Sequence, residues 1–100
     1  MIKINVLKSN SLIKEVKVNG HADYANYGLD IVCSAVSSIV TTTINDILAL
    51  DSASIKYTVN DGNVVITNND NELANKLLQV MLNSLEELAS TYPKNIKIGG

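Results

Sequence analysis

The sequence contains one histidine and one cysteine, His21 and Cys33, and only twelve positions separate them. A cysteine thiolate can attack a carbonyl carbon, and an imidazole can take the thiol proton and later protonate the leaving group. The two side chains are therefore sufficient for nucleophilic catalysis by a Cys–His pair. From residue types alone, Cys33 could equally be a small buried packing residue and His21 a surface or capping group.

The segment that joins the two residues is rich in small and polar side chains, which predicts a loop of about ten residues over positions 20–30. Such a loop can fold back and bring His21 close to Cys33. It carries two glycines and two tyrosines, namely Gly20, Gly28, Tyr24 and Tyr27. The tyrosines could be ordinary packing residues or could form an apolar lip for a substrate.

A helix is predicted to begin directly before Cys33. Asp30 precedes an apolar run of helical period that starts at Ile31, so Asp30 is the predicted N-cap. Cys33 would then lie in the first helical turn, where the helix dipole favours the thiolate. The backbone N–H groups of Cys33 and Ser34 could form an oxyanion hole there. Ser37 lies one turn further on the same side and could hydrogen-bond within the site, although ordinary helix-surface polarity also explains it.

The remaining periodicity predicts an α+β fold with the element order ββαββαβ. Alternating apolar residues predict strands over residues 2–6, 12–19, 55–59, 64–67 and 96–98. Three- and four-residue apolar spacing predicts helices over residues 31–50 and between the Asn-rich segment 68–71 and Tyr92-Pro93. Two helices on one face of a single sheet satisfy this order in two layers. A chain of 100 residues without an internal linker is expected to form a single domain, residues 1–100.

Composition and charge argue against several classes of function. The net charge is −2 and the eight cations, all lysines, are scattered, so direct nucleic-acid binding is not expected. The sequence is expected to contain no apolar run of about 20 residues, so no membrane-spanning helix is predicted. A lone cysteine and the lack of a signal-peptide pattern favour a reducing cytoplasm. Without HxxxH or CxxC spacing, no metal site is predicted.

Two short motifs resemble the signature of the bacterial ribosomal-processing cysteine proteases, the Prp family. They are Gly20-His21-Ala22 and, after a spacer, Asp30-Ile31-Val32-Cys33-Ser34-Ala35-Val36-Ser37. Chain length, element order and the closing segment at residues 92–98 are also similar to that family. Family members often have alanine at the position of Ser34.

The resemblance implies a function and a set of roles. Cys33 would be the nucleophile, His21 the general base and Asp30 a supporting motif residue, with glycines that make the loop over the site mobile. The substrate would be the precursor of a large-subunit ribosomal protein, whose N-terminal extension is removed. A homodimer that needs no cofactor is also implied.

Three hypotheses follow. The first is a cysteine endopeptidase whose loop orders on substrate binding and whose extended peptide substrate docks along a sheet edge. The second is a non-catalytic binding module for ribosome assembly, in which Cys33 is a packing residue. The third is a thiol-dependent amidase or acyltransferase for a small molecule, although the loop offers no charged pocket to hold one.

Overall fold

Five strands and two helices follow one another in the predicted ββαββαβ order. The computed structural model describes residues 1–20 and 27–100, and for residues 27–30 it describes the backbone alone. The elements are β1 (Ile2–Ser9), β2 (Leu12–Asn19), α1 (Tyr27–Leu50), β3 (Ile55–Asn60), β4 (Asn63–Asn68), α2 (Glu72–Thr91) and β5 (Ile96–Gly99). The α+β prediction is confirmed, with strand ends that differ by one to three residues.

All five strands belong to one sheet with the order β3-β4-β2-β1-β5. Two antiparallel hairpins, β1–β2 and β3–β4, lie side by side through β2 and β4, and β5 adds a parallel pair at the outer side of β1. The first hairpin turns at Asn10 and Ser11, which both have positive φ, and the second turns at Asp61-Gly62. Positive φ at a two-residue turn matches the right-handed twist of the flanking strands.

Within residues 1–20 and 27–100, the helices cover one face of the sheet. Ile2, Ile4 and Val16 are buried on the face against which the helices pack, whereas Lys3 and Lys17 on the opposite face are exposed. This alternation is the period of two that the sequence displays. Both helices therefore lie on the same side of the sheet, as predicted.

Helix α1 buries a stripe of β-branched residues. The stripe consists of Val32, Val36, Val40, Ile44 and Ile47. Contrary to the expectation from the sequence, Ile31–Leu50 is long and apolar enough to cross a membrane, with a mean hydropathy of 1.5. The buried stripe accounts for part of this composition: 28% of the window is buried in the core, while Thr41, Thr42 and Asp46 are exposed.

Helix α2 is capped by Asn71, the last residue of the Asn-rich segment after which the helix is predicted to begin. The Asn71 side chain accepts a hydrogen bond from the Ala74 N–H at 2.8 Å, which satisfies one of the free donors at the helix start. Buried Asn68 holds this region to β2, since its amide donates to the carbonyl oxygens of Ile13 and Asn71. From this start, α2 packs Leu78, Met81 and Leu85 into the core.

Candidate active site

Helix α1 begins one turn earlier than predicted, which corrects two expectations. It starts at Tyr27, so Asp30 is the fourth helical residue and is not the N-cap. The predicted loop is also wrong over its last four residues, which include Tyr27 and Gly28. The spacing of Leu29, Val32 and Val36 continues the apolar helical period backward, a signal that Gly28 and Asp30 obscured because both residue types disfavour helix interiors.

The earlier start changes the surroundings of the cysteine. Cys33 is the seventh residue of α1 and lies in its second turn. Only the first four N–H groups of a helix are free of intrahelical acceptors, so those of Cys33 and Ser34 cannot form the predicted oxyanion hole. The effect of the helix dipole also fades beyond the first turn. The predicted position of Cys33 in the first helical turn is therefore wrong as well.

Cys33 lines a cleft of about 180 Å³ between α1 and the adjoining ends of the strands. The side chain is partly buried: it packs against the hydrophobic core and still borders the cleft. Ser37, one helical turn further on, lines the same cleft. Ser34 is exposed and is not among the described residues that line it. Of the two serines predicted to support the site, the fold thus brings only Ser37 to the cleft of Cys33.

A second cavity of about 150 Å³ extends the cleft along α1 as far as Ile44. The two cavities share a wall made of Val18, Val36, Ser37, Val59 and Val64. The two cavities adjoin along this wall, and the stretch that they line from Cys33 to Ile44 is termed the α1–β3 groove. The eleven residue steps from Cys33 to Ile44 span about 16 Å of helix, which is the length of roughly five residues of extended peptide.

Strand β3 supplies the outer wall of this groove, a contribution that the sequence did not reveal. Val59 pairs with Val64 and Tyr57 pairs with Ile66, so both side chains lie on the helix side of the sheet. Val59 is 64% exposed and Tyr57 is 47% exposed. As a strand at the sheet edge, β3 has unpaired backbone N–H and C=O groups on its outer side. The pairing of β3 with β4 brings Val59 to the cleft of Cys33.

Two asparagines at the β3–β4 turn also line the cleft of Cys33, namely Asn60 and Asn63. The Asn63 amide donates to the Asp61 carbonyl at 3.2 Å. Alternation along β3 places the Asn60 side chain on the sheet face opposite that of Val59. The β3–β4 turn therefore closes one end of the cleft.

Gly20 fixes the end of β2 at the same cleft. Its φ is +123°, and a Cβ at this position would overlap the Met1 carbonyl oxygen. The Gly20 N–H donates to the Gly62 carbonyl at 2.9 Å, which ties β2 to the β3–β4 turn. Gly20 lines the cleft together with Cys33. The backbone that leads to His21 therefore leaves the sheet at the cleft.

We expect Gly20→Ala to lower the free energy of unfolding by about 1–3 kcal/mol, because alanine strains this φ and meets the Met1 carbonyl. Urea denaturation followed by circular dichroism measures the change. Gly99→Ala is the matched control, since its Cβ would meet only the Asn5 side chain at 3.6 Å. Equal midpoints for the two variants would contradict the assigned role of Gly20.

Several predicted site residues lie outside the described residues. His21 and Tyr24 belong to residues 21–26, on which the predicted loop mobility also falls. For Tyr27, Gly28 and Asp30 the backbone alone is described.

The described part of the chain shows no cluster of three or more His, Cys, Asp or Glu side chains that could hold a metal ion. That the site works without a metal stays a prediction. A more voluminous cavity of about 550 Å³ lies between α2 and the ends of β1 and β5. Its described lining includes Lys8, Gln79 and Glu86 but not Cys33, so this larger space does not contain the proposed nucleophile.

This chain is similar to a known protein family, to a relative in that family and to two solved structures. The family model of the cysteine protease Prp matches residues 1–97. A ribosomal processing cysteine protease Prp from Staphylococcus aureus is 35% identical over 105 residues, covering 98% of this chain and 97% of that protein.

Two crystal structures of an essential ribosomal processing protease Prp from Staphylococcus aureus share the fold. The complex with a substrate peptide superposes with a TM-score of 0.90 at 30% identity and covers 100% of both chains. The complex with a covalently linked product peptide gives a TM-score of 0.87 at 32% identity, with 99% of this chain and 98% of that chain covered.

Proposed function

Because this chain belongs to the cysteine protease Prp family, we propose that it removes the N-terminal extension from the precursor of a large-subunit ribosomal protein. The observation that carries the proposal is the shared cleft of Cys33 and Gly20. Similarity to proteases in complex with substrate and product peptides supports the same reaction class.

Cys33 is the proposed nucleophile and His21 the proposed general base. His21 follows Gly20 directly in the sequence, and Gly20 lines the cleft of Cys33. Chain connectivity thus supports the pairing that residue types first suggested.

The reaction has two steps. The Cys33 sulfur attacks the scissile carbonyl carbon while His21 takes the thiol proton, and the C–N bond breaks as the imidazolium protonates the leaving amine. The N-terminal extension is then held as a thioester on Cys33. Water attacks this thioester with His21 as base, which releases the extension as a carboxylate and restores the thiol.

The negative charge on the carbonyl oxygen needs donors other than the backbone N–H groups of Cys33 and Ser34, which lie beyond the free first turn of α1.

The α1–β3 groove is the proposed binding site for the peptide. An extended chain of about five residues fits its length, and its apolar walls favour aliphatic or aromatic substrate side chains on one side of the scissile bond. The edge of β3 lies beside the groove and can pair with the peptide backbone. The β5 edge lies at the other end of the sheet, with three strands between it and β3, so the proposed docking edge is β3.

We expect Val59→Glu to lower kcat/KM for the precursor about 10-fold or more, because a carboxylate replaces one apolar wall of the groove. Val59 is 64% exposed, so the stability of the variant should stay close to that of the wild type. Leu50→Glu is the matched control: Leu50 is 62% exposed and lies six residues beyond the groove. Equal activities of the two variants would contradict the groove assignment.

The function itself is tested by incubating the purified chain with the full-length precursor and with its mature form. The expected result is a single cut that converts the precursor to the mature protein, identified by the mass of both products. A precursor that binds but stays intact would instead support the alternative of a non-catalytic assembly module.

Cytoplasmic location and a homodimer also belong to the proposal. A reduced thiol is required for the chemistry, and the chain has one cysteine and hence no internal disulfide partner for it. Exposed Leu73 and Val80 lie seven residues apart on α2, a spacing that places both on one helix face. A second copy of the chain could cover them, and light scattering gives the mass that distinguishes dimer from monomer.

A further inference from the structure

The sheet face opposite the helices, termed the open face, is exposed and basic. It carries Lys3, Lys17, Lys56 and Lys97, all of them exposed. Glu15 is the single acidic residue among the strand positions of this face. The face thus has four of the eight lysines and one of the ten acidic residues, a local charge of +3 in a chain of net charge −2. Charge is strongly polarised across the fold.

Strand pairing arranges these lysines as a row. Lys3 on β1 lies directly beside Lys97 on β5, and Lys17 on β2 is diagonal to Lys3 because it pairs with Asn5. Lys56 lies on β3 at the far edge. With strands about 4.8 Å apart, the row crosses the sheet over about 19 Å.

Lys3 and Lys97 repel each other without compensation from the described residues. Two ion pairs form among the described residues, Lys14–Asp70 at 3.5 Å and Lys17–Glu15 at 3.6 Å, and neither includes Lys3 or Lys97. Like charges on directly neighbouring strand positions are destabilising. A depression of about 200 Å³ lies at this pair, and Asn5 and Gly99 complete its lining. An anion bound in this depression would be attracted to both lysines and could accept a hydrogen bond from the Asn5 side-chain amide.

We propose that the open face binds the phosphodiester backbone of RNA. Lysines act as point charges toward phosphate, and a row of them neutralises successive phosphates of one strand. Tyr57 lies on the helix side of β3, so it provides no stacking platform on the open face. The contacts are therefore to the backbone and do not depend on sequence.

Other occupants fit less well. A lipid surface requires an apolar or aromatic border, and Leu7 is the only large apolar side chain on the open face that is more than half exposed. The choice of RNA among polyanions rests on the proposed function, because ribosomal proteins assemble on RNA. The basic character of the face does not depend on that function. The active-site cleft lies on the helix side, so both surfaces can be occupied together.

This inference revises the expectation that the chain does not bind nucleic acid. That expectation is based on the net charge and on the absence of a run of consecutive basic residues in the sequence. The four lysines are distant in sequence, and the sheet places all of them on one face. Lys3 lies beside Lys97 and diagonal to Lys17, whereas β4 separates Lys17 from Lys56.

The test measures fluorescence anisotropy of a labelled oligouridylate of about 20 nucleotides as salt is raised from about 50 to 200 mM. For single strands, four phosphate contacts predict a log–log slope of about −3. The triple variant Lys3→Gln, Lys56→Gln, Lys97→Gln should bind at least ~10-fold more weakly at the lowest salt, with a slope near −1. The matched control Lys8→Gln, Lys76→Gln, Lys94→Gln removes three exposed lysines elsewhere and should stay within about 2-fold of the wild type.

Several results would overturn the proposal: no salt-dependent RNA binding by the wild type, equal loss in both triple variants, or tighter binding of polyglutamate or of anionic vesicles than of RNA. Thermal melts of both variants verify that they are folded. Precursor cleavage is measured in parallel. A chain that binds RNA but does not cleave the precursor would contradict the proposed function and leave this inference standing. A chain that cleaves the precursor but does not bind RNA would contradict only this inference.

Discussion

Cys33→Ala lowers the rate of precursor cleavage by about 10³-fold or more, because the thiol forms the covalent intermediate and no second cysteine can replace it. Alanine is slightly smaller and fits a position that packs against the core, so the fold should be retained. Initial rates from gel densitometry of precursor and product measure the effect. Binding of the precursor, followed by anisotropy, should be little changed.

Two further variants make this result specific to the sulfur. Cys33→Ser retains the shape and exchanges the thiol for a much weaker nucleophile, so it should be nearly as inactive as alanine. Ser38→Ala removes an exposed hydroxyl of α1 and is expected to keep the wild-type rate. A Cys33→Ala protein that retains most of its activity would rule out the proposed nucleophile.

His21→Ala is expected to lower kcat by about 10²–10⁴-fold, the usual contribution of a general acid and base. KM should change much less, since the imidazole acts on protons and not on the apolar groove. Free imidazole added to the assay should restore part of the lost rate, because it can take over the proton transfer.

The control for His21 is the same rescue experiment on other variants. Imidazole should not restore Cys33→Ala, which lacks the nucleophile, or Val59→Glu, which has a defective groove. A His21→Ala enzyme with the wild-type kcat would remove His21 from the mechanism and require another base in the cleft.

The fold could be predicted almost completely because its signals are local. Alternation in β1 and β2, the Asp61-Gly62 turn and the Asn71 cap each depend on neighbouring residues. The start of α1 could not be placed correctly. Gly28 and Asp30 indicate a loop by propensity, whereas the apolar period that includes Leu29 and Val32 extends the helix to Tyr27. Core packing of that period outweighs weak local preferences.

The site could be predicted only where the chemistry is carried by rare residue types. A lone cysteine and a lone histidine can be recognised in the sequence as candidate catalytic residues. The residues that line the cleft around Cys33 cannot be recognised in this way. Val59 and Asn60 are ordinary strand residues until the β3–β4 hairpin places them beside α1. The same limit applies to Lys3 and Lys97, which only the parallel pairing of β1 and β5 makes neighbours.

Acid-quenched intact-protein mass spectrometry of the wild-type chain mixed with its precursor tests the central claim most directly. The account predicts a transient species whose mass equals the enzyme plus the N-terminal extension less water, with the adduct mapped to Cys33 as a thioester. Cys33→Ala should show neither the adduct nor the cleaved product. Cleavage of the precursor by Cys33→Ala at the wild-type rate would contradict the account.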